Sequence, residues 1–324
     1  TNLWLVDYLC HDFSARGLSP WDSLSSGLGH ATSFRGSDSL IVIPGARYFY
    51  NEPKDQVAIN SVNASEHSVS TTKIFTVGER QMIIDWLTEI PEGIFSQVAD
   101  TFSLWQFIEY LKDPEIRALV LGRKGKLVVR PDSGDPIDII CGVIIENGQA
   151  KIDVKTSATK EEVAGVIELL WNNFRGTINS QGYKVLDPHI GAIYGDSITT
   201  DRQIQIYQRL ADKGFAATNI VLGVGSFTYQ YNTRDTFGWA AKGAWFQAKG
   251  KGYDIYKDPI TDDGTKKSLK GLLQVYLDDN NEYQVKMQCT KEEEELGVLQ
   301  TIYEDGKFLN QTTFIEIRER INRG

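Results

Sequence analysis

Cysteine is scarce: 324 residues carry only Cys10, Cys141 and Cys289, an odd number, widely spaced and without metal-ligand spacing. That excludes a disulfide framework and suits a reducing, cytoplasmic setting in which the three are small buried apolar residues. Long hydrophobic runs are missing too. No stretch approaches the roughly 18 apolar residues that a membrane helix needs, and no basic segment followed by an apolar core opens the chain, so neither a membrane partner nor a secretory leader is expected. Positive charge is in deficit, with 34 Lys and Arg against 43 Asp and Glu and a net charge of −9. Broad attraction to nucleic acid is therefore not expected, and an anionic substrate has to be met by local Lys and Arg. What is present, 41 % hydrophobic and 24 % charged residues, suffices for a substantial core in one large domain or two.

The most telling stretch runs from Lys126 to Pro136. Leu127, Val128 and Val129 read as a short buried strand, Pro131 ends it for want of an N–H, and Ser133 and Gly134 let the backbone turn. Arg130 and Asp132 then stand at the carboxyl end of a strand, where α/β folds place ligand sites. The guanidinium offers a planar fork to phosphate or a ring carbonyl, and the carboxylate takes ribose hydroxyls or a metal; a salt-bridged loop pair is the plainer alternative. The basic turn from Arg123 to Lys126 reads as solvated.

Other strands repeat that plan. Ile94 to Ala99 ends on Asp100, Ile190 to Tyr194 on Gly195 and Asp196, and Asn219 to Leu222 on Gly223, Gly225 and Ser226, a glycine turn whose N–H groups can cradle phosphate. Strands that end in polar or glycine motifs, with helices between them, predict an α/β barrel with its site at one mouth. Helices are expected from Trp21, over Gly78 to Leu87, from Ser103 through Leu111, from the Thr159 capping box to Phe174, and from Thr200 through Leu210. Gly45 to Asn60 reads as loop and Ile137 to Val154 as a hairpin around Asn147 and Gly148. Two further hairpins, Leu272 to Met287 and Leu299 to Phe308, precede a final amphipathic helix from Phe314 to Ile321. Taken by itself, Phe13 is either a core aromatic or a ring offered to a ligand. His67, one of four histidines, is flanked by hydroxyls and Glu66, as either a reactive imidazole or a hydrogen-bonded spacer is.

The segment Arg130-Pro131-Asp132-Ser133-Gly134-Asp135-Pro136 resembles the signature loop of the nicotinamide phosphoribosyltransferases. Further motifs in family order spread the resemblance over nearly the whole chain: His11 to Gly17, Phe34 to Asp38, Ala64 to Ser68, Tyr194 to Asp196, Gly223 to Gly225, Thr233 to Asp235 and Tyr256 to Pro259. The resemblance implies an irregular α/β barrel of the type II phosphoribosyltransferase kind over residues 1–233, with a smaller β-rich flanking layer over 234–324. It implies transfer of phosphoribosyl from phosphoribosyl pyrophosphate to nicotinamide, with nicotinate as the neighbouring alternative. Phe13, Asp38, Ser61, Val62, Ser96 and Arg130 would hold the pyridine. Arg16, Arg130, Asp132, Gly195, Asp196, Gly225 and Ser226 would hold phosphoribosyl groups. Arg234, Lys242, Lys257 and Lys266 would reach phosphates across a homodimer interface. His67, with Asp100 beside it, would be phosphorylated by ATP, and Mg2+ would accompany the pyrophosphate. Asp38, which by itself is equally a capping Asp at a chain reversal, would by the resemblance favour an amide over an acid, since a carboxylate accepts from NH2 and repels another carboxylate. Family members also carry a sizeable segment ahead of the His11 motif, which leaves a non-catalytic fragment, or a second chain supplying that segment, as further expectations.

Overall fold

The computed structural model describes residues 3–146, 149–150, 157–195, 197–231, 236, 241–260 and 267–323. Seven short strands form one sheet: β1 (Cys10–Asp12), β2 (Gly36–Ser37), β3 (Asn63–Ala64), β4 (Glu92–Val98), β5 (Lys124–Arg130), β6 (Ile190–Tyr194) and β7 (Ile220–Val224). They lie in the order β2-β1-β7-β6-β5-β4-β3, and every pairing is parallel. Parallel neighbours need a crossover, so each carboxyl end falls on the same rim. The sheet curls until its ends meet: Gly36 bridges Asn60, just ahead of β3, through Ser37 N–H to Asn60 O (3.0 Å) and Asn60 N–H to Arg35 O (2.7 Å).

Alternation along the strands divides their side chains between two faces. Phe95 on β4, Leu127 and Val129 on β5, Ala192 and Tyr194 on β6 and Leu222 on β7 join one continuous core with helix residues such as Met82, Trp86, Phe107, Ile167 and Ile206. Ser96, Val128, Arg130 and Gly223 belong to the opposite set and turn towards the barrel axis. The helices are α1 (Pro20–Ala31), α2 (Val42–Tyr50), α3 (His67–Val77), α4 (Glu79–Glu89), α5 (Leu104–Tyr110), α6 (Pro114–Gly122), α7 (Pro136–Cys141), α8 (Lys160–Phe174), α9 (Thr200–Asp212) and α10 (Ser226–Gln230). Thr159 and Glu162 form the capping box expected for α8.

Three local expectations fail. Gly45 to Tyr50 is helical rather than loop, because Gly45 lets α2 press onto Leu24 of α1 and Asn51 closes the helix in the left-handed region at φ 54°. Pro136 to Cys141 is a helix too: Asp135 caps the N–H groups of Ile137 and Asp138, and Pro136 suits the first turn. Of the expected hairpin, Ile145–Glu146 pairs with Gln149–Ala150, while its turn residues and residues 151–156 lie outside the described ones. Arg123, expected in solvent, is 5 % exposed and donates to Gly93 O.

The chain splits into two compact units, the first comprising Thr1–Lys242 with Lys257–Ser268 and the second Gly243–Tyr256 with Leu269–Gly324. The segment from Lys257 belongs with the barrel although it follows residue 234. Its backbone runs along Thr101 and Phe102, with Asp258 N–H to Thr101 O at 3.4 Å and Ile260 N–H to Phe102 O at 3.0 Å. The second unit holds antiparallel hairpins, Trp245–Ala248 with Lys251–Asp254 and Leu273–Leu277 with Tyr283–Met287, a shorter pair at Tyr303–Glu304 and Lys307–Phe308, and a helix over Phe314–Arg323. All three cysteines are buried and unpaired, and no helix among the described residues is long and apolar enough to cross a membrane.

Candidate active site

The rim at the carboxyl ends of the strands collects nearly every polar motif of the barrel. β1 runs into Phe13, whose ring tilts against His11 at 4.6 Å between centroids. Two glycines make room for it. A Cβ on Gly223 would stand 2.5 Å from Phe13 Cδ2, and one on Gly195 would stand 3.1 Å from Cε2. Asp132 reaches the same corner, its Oδ1 4.0 Å from the position a Gly195 Cβ would take.

Asp38, just past β2, receives His11 Nε2 at 2.9 Å and the Ser61 hydroxyl at 2.6 Å, both on Oδ1. Burial pushes its pKa up, but the bonds from His11 and Ser61 and the charges of His11 and Arg130 outweigh burial and hold it below the usual carboxylate range. Asp38 is thus an anion at neutral pH, with Oδ2 unpartnered among the described residues and the side chain 48 % exposed. Arg130 donates from Nη2 to Ser65 O at 2.6 Å. Ser65 is itself stapled to β4 through Ser65 N–H to Ser96 O and Val98 N–H to Ser65 Oγ, each 2.8 Å. The guanidinium is therefore fixed by backbone, leaving its Nε–H buried without a partner among the described residues.

A second cluster lies on the same rim. His67 is the first residue of α3, behind the Glu66 cap that accepts from Ser68. Its Nε2 lies 3.2 Å from Asp100 Oδ1 and 2.8 Å from Lys257 Nζ. Asp100 is fully buried, takes the Ser133 hydroxyl on Oδ2 at 2.6 Å and has Lys257 Nζ 3.7 Å away. Burial alone raises its pKa, yet the His67 bond, the charges of Lys257 and His67 and the Ser133 bond win, and the carboxyl is held far below its ordinary value. Ser133 belongs to the turn after β5, which Tyr194 of β6 clamps through its hydroxyl to Gly134 O at 2.8 Å.

Of the residues singled out from the sequence, Phe13, Asp38, Ser61, Ser96, Arg130, Asp132, Gly195, His67 and Asp100 come together on this rim. Gly225 and Ser226 also lie there, at the start of α10, which packs against the turn Ser14–Gly17 that bears Arg16. Val62 is 39 % exposed beside Ser61. Lys257 stands in the site of its own chain, where the sequence reading had it reaching from a partner; Lys242 is exposed at the end of the first unit. Asp196, Arg234 and Lys266 lie outside the described residues. Sequence reasoning missed the partnering roles of His11 and Ser133. Both sit inside the quoted motifs, but only the fold brings residues 27 and 33 positions apart into contact.

The model of the nicotinate phosphoribosyltransferase (NAPRTase) family matches residues 8–307, which include every strand of this barrel. The chain belongs to that family. Relatives named nicotinamide phosphoribosyltransferase share its sequence: that of Acinetobacter baylyi is 41 % identical over 323 residues, 96 % of this chain and 60 % of its own length. That of Mycoplasma pneumoniae is 36 % identical over 285 residues, 85 % and 57 %, and that of Xanthomonas campestris 30 % over 324 residues, 97 % and 62 %. The chain thus spans about three-fifths of the length of these relatives. A crystal structure of nicotinate phosphoribosyltransferase from Vibrio cholerae overlaps it with a TM-score of 0.46 at 16 % identity, over 80 % of this chain and 51 % of that one. In this chain the Asp38 corner and the His67 cluster are two chemically distinct parts of one rim.

Proposed function

We propose that this protein transfers a 5-phosphoribosyl group from phosphoribosyl pyrophosphate to nicotinamide, giving nicotinamide mononucleotide and pyrophosphate. The observation that carries the choice of amide is Asp38. An ionised carboxylate with one free oxygen accepts a carboxamide N–H and repels nicotinate. Phe13 offers its ring to the pyridine, and Arg130, pinned by Ser65, offers donors to the amide oxygen. The names of the relatives support the same substrate.

In the reaction the C1–oxygen bond of the donor breaks, pyrophosphate leaves with the electron pair, and the pyridine nitrogen closes the new C–N bond. The nucleophile needs no side-chain base. Asp132 would accept from the ribose hydroxyls and steady the positive charge that develops at C1. Its half-buried carboxylate also fits Mg2+, which keeps waters and substrate oxygens and asks the protein for one or two carboxylates; bound there, the ion would neutralise the departing pyrophosphate. Arg16, Gly225 and Ser226 would meet phosphate oxygens, as would Arg234, Lys242 and Lys266 in a homodimer with a shared site, while Asp196 would serve the ribose hydroxyls or the metal. His67, oriented by Asp100, is the candidate acceptor of the γ-phosphoryl of ATP: a nitrogen–phosphorus bond forms as the β–γ bridging bond breaks and ADP departs.

The test is product formation from nicotinamide and from nicotinate, each with phosphoribosyl pyrophosphate, with and without ATP, for the unaltered chain and for Asp38→Asn. The unaltered protein is expected to prefer the amide, and the variant to lose that preference by roughly 10- to 100-fold, the worth of one charge-assisted bond. Equal use of both substrates before the substitution would move the assignment to nicotinate. No turnover of either would leave a phosphate-binding fragment or subunit.

A further inference from the structure

Two groups of opposite character claim the same nitrogen of His67. Lys257 Nζ, 2.8 Å from Nε2, is an ammonium with donors only, so it needs a lone pair there. Asp100 Oδ1, 3.2 Å from the same Nε2, is an ionised carboxylate that only accepts, so it needs a proton there. Imidazole Nε2 cannot satisfy both. Neither claimant is loosely placed. Asp100 is fully buried and fixed by the Ser133 hydroxyl, and Lys257 is 8 % exposed. The backbone of Lys257 is held twice by Ser268, through Lys257 N–H to Ser268 Oγ at 2.8 Å and Ser268 N–H to Lys257 O at 3.0 Å.

We infer that Lys257 selects the tautomer of His67, and that an anionic phosphate arriving at the rim switches it. With no anion, the ammonium has only His67 within hydrogen-bond reach among the described residues, since Asp100 Oδ2 stands at 3.7 Å. Nε2 is then the acceptor and Nδ1 carries the proton. A phosphate oxygen is a stronger acceptor for a buried ammonium than a neutral imidazole is. Once it draws Lys257 away, Nε2 takes the proton and donates to Asp100, and the lone pair passes to Nδ1, where the carboxylate–imidazole pairing leaves it open to attack phosphorus. Lys257 is thus a positioning residue: it hides the useful tautomer until a phosphate is present. The inference rests on the phosphoryl-acceptor reading of His67 for its purpose, though not for its measurement.

Nitrogen NMR on the full chain labelled with 15N-histidine tests it directly, since there are only four histidines and His67→Asn assigns the signal. In the unaltered protein without phosphate, the expected His67 pattern has an unprotonated Nε2, downfield, and a protonated Nδ1; inorganic pyrophosphate should exchange the two positions. Lys257→Met should show the exchanged pattern at the outset and ignore pyrophosphate. Lys257→Arg, which keeps the donors, should retain the response and serves as the control for folding. An unaltered protein whose tautomer ignores pyrophosphate, or a Met variant that keeps the original pattern, overturns the inference. If the exchange is seen but no nicotinamide is consumed, the transferase reading fails alone.

Discussion

Gly223 lies so close to the Phe13 ring that a Cβ built on it would fall 2.5 Å from Cδ2 and 2.6 Å from Gly195 Cα. β7, β6 and the residue after β1 meet there with no space for a methyl group, and the ring is aimed by what its neighbours lack. A side chain at Gly223 would have to displace Phe13 or the Gly195 backbone, whereas one at Gly195 would ask the ring to give by a few tenths of an ångström.

Gly223→Ala is therefore expected to act mainly on substrate binding. Overpacking should lower stability by about 1–3 kcal/mol, and the displaced ring should raise the KM for nicotinamide by roughly tenfold or more while the KM for phosphoribosyl pyrophosphate changes little. Steady-state kinetics with each substrate varied in turn, beside a urea titration, separates the two effects. A rise in both KM values together would mean that the whole rim has moved.

Asp100 should mark the acid limb of the stability curve. Its folded pKa is depressed, so the stability it adds is complete above the unfolded value of about 4 and is lost as pH falls through that value towards the folded one. Asp100→Asn should cost about 3–5 kcal/mol at neutral pH, since it strands the buried Lys257 charge. It should also flatten the decline below pH 5. Urea midpoints measured across the acid range check both; a variant that loses stability in parallel with the unaltered chain would assign the acid limb elsewhere.

Tyr194→Phe removes the hydroxyl that clamps Gly134 O across the fold. A loss of about 1 kcal/mol is expected for a half-buried carbonyl left without that donor. Because the clamped turn carries Asp132 and Ser133, turnover should fall further than stability does. Thermal unfolding alongside single-turnover rates tests this, and an unchanged rate at lowered Tm would show that the turn holds without its clamp.

Asp135→Ala should fray α7, whose first N–H groups it caps, at a cost of about 1 kcal/mol. Asp135→Asn should recover most of it. Hydrogen exchange at Ile137 and Asp138 should quicken in the alanine variant alone; protection equal to that of the unaltered chain would show the cap to be idle.

The sequence by itself determined β4 to β7 of the sheet, because runs such as Leu127 to Val129 and Ile190 to Tyr194 are local signals of burial, and it determined the α8 capping box, which spans only four residues; the short β1, β2 and β3 carried no such signal. It also marked Arg130, Asp132 and Asp100, since each stands at a strand end, and His67, which Glu66 and two serines flank. Whereas the helix over Pro136 to Cys141 rests on a local cap from Asp135 that the hairpin reading passed over, the tertiary structure alone decided that Gly45 to Tyr50 is helical, where packing on Leu24 overrides a weak pattern. It alone tied Gly36 to Asn60 and set Lys257 190 residues along the chain from the imidazole it touches. The reason is physical: hydrophobic periodicity and capping are read within a few residues, whereas closure of a barrel and convergence on its rim depend on which crossovers pack, and no local run of residues encodes that.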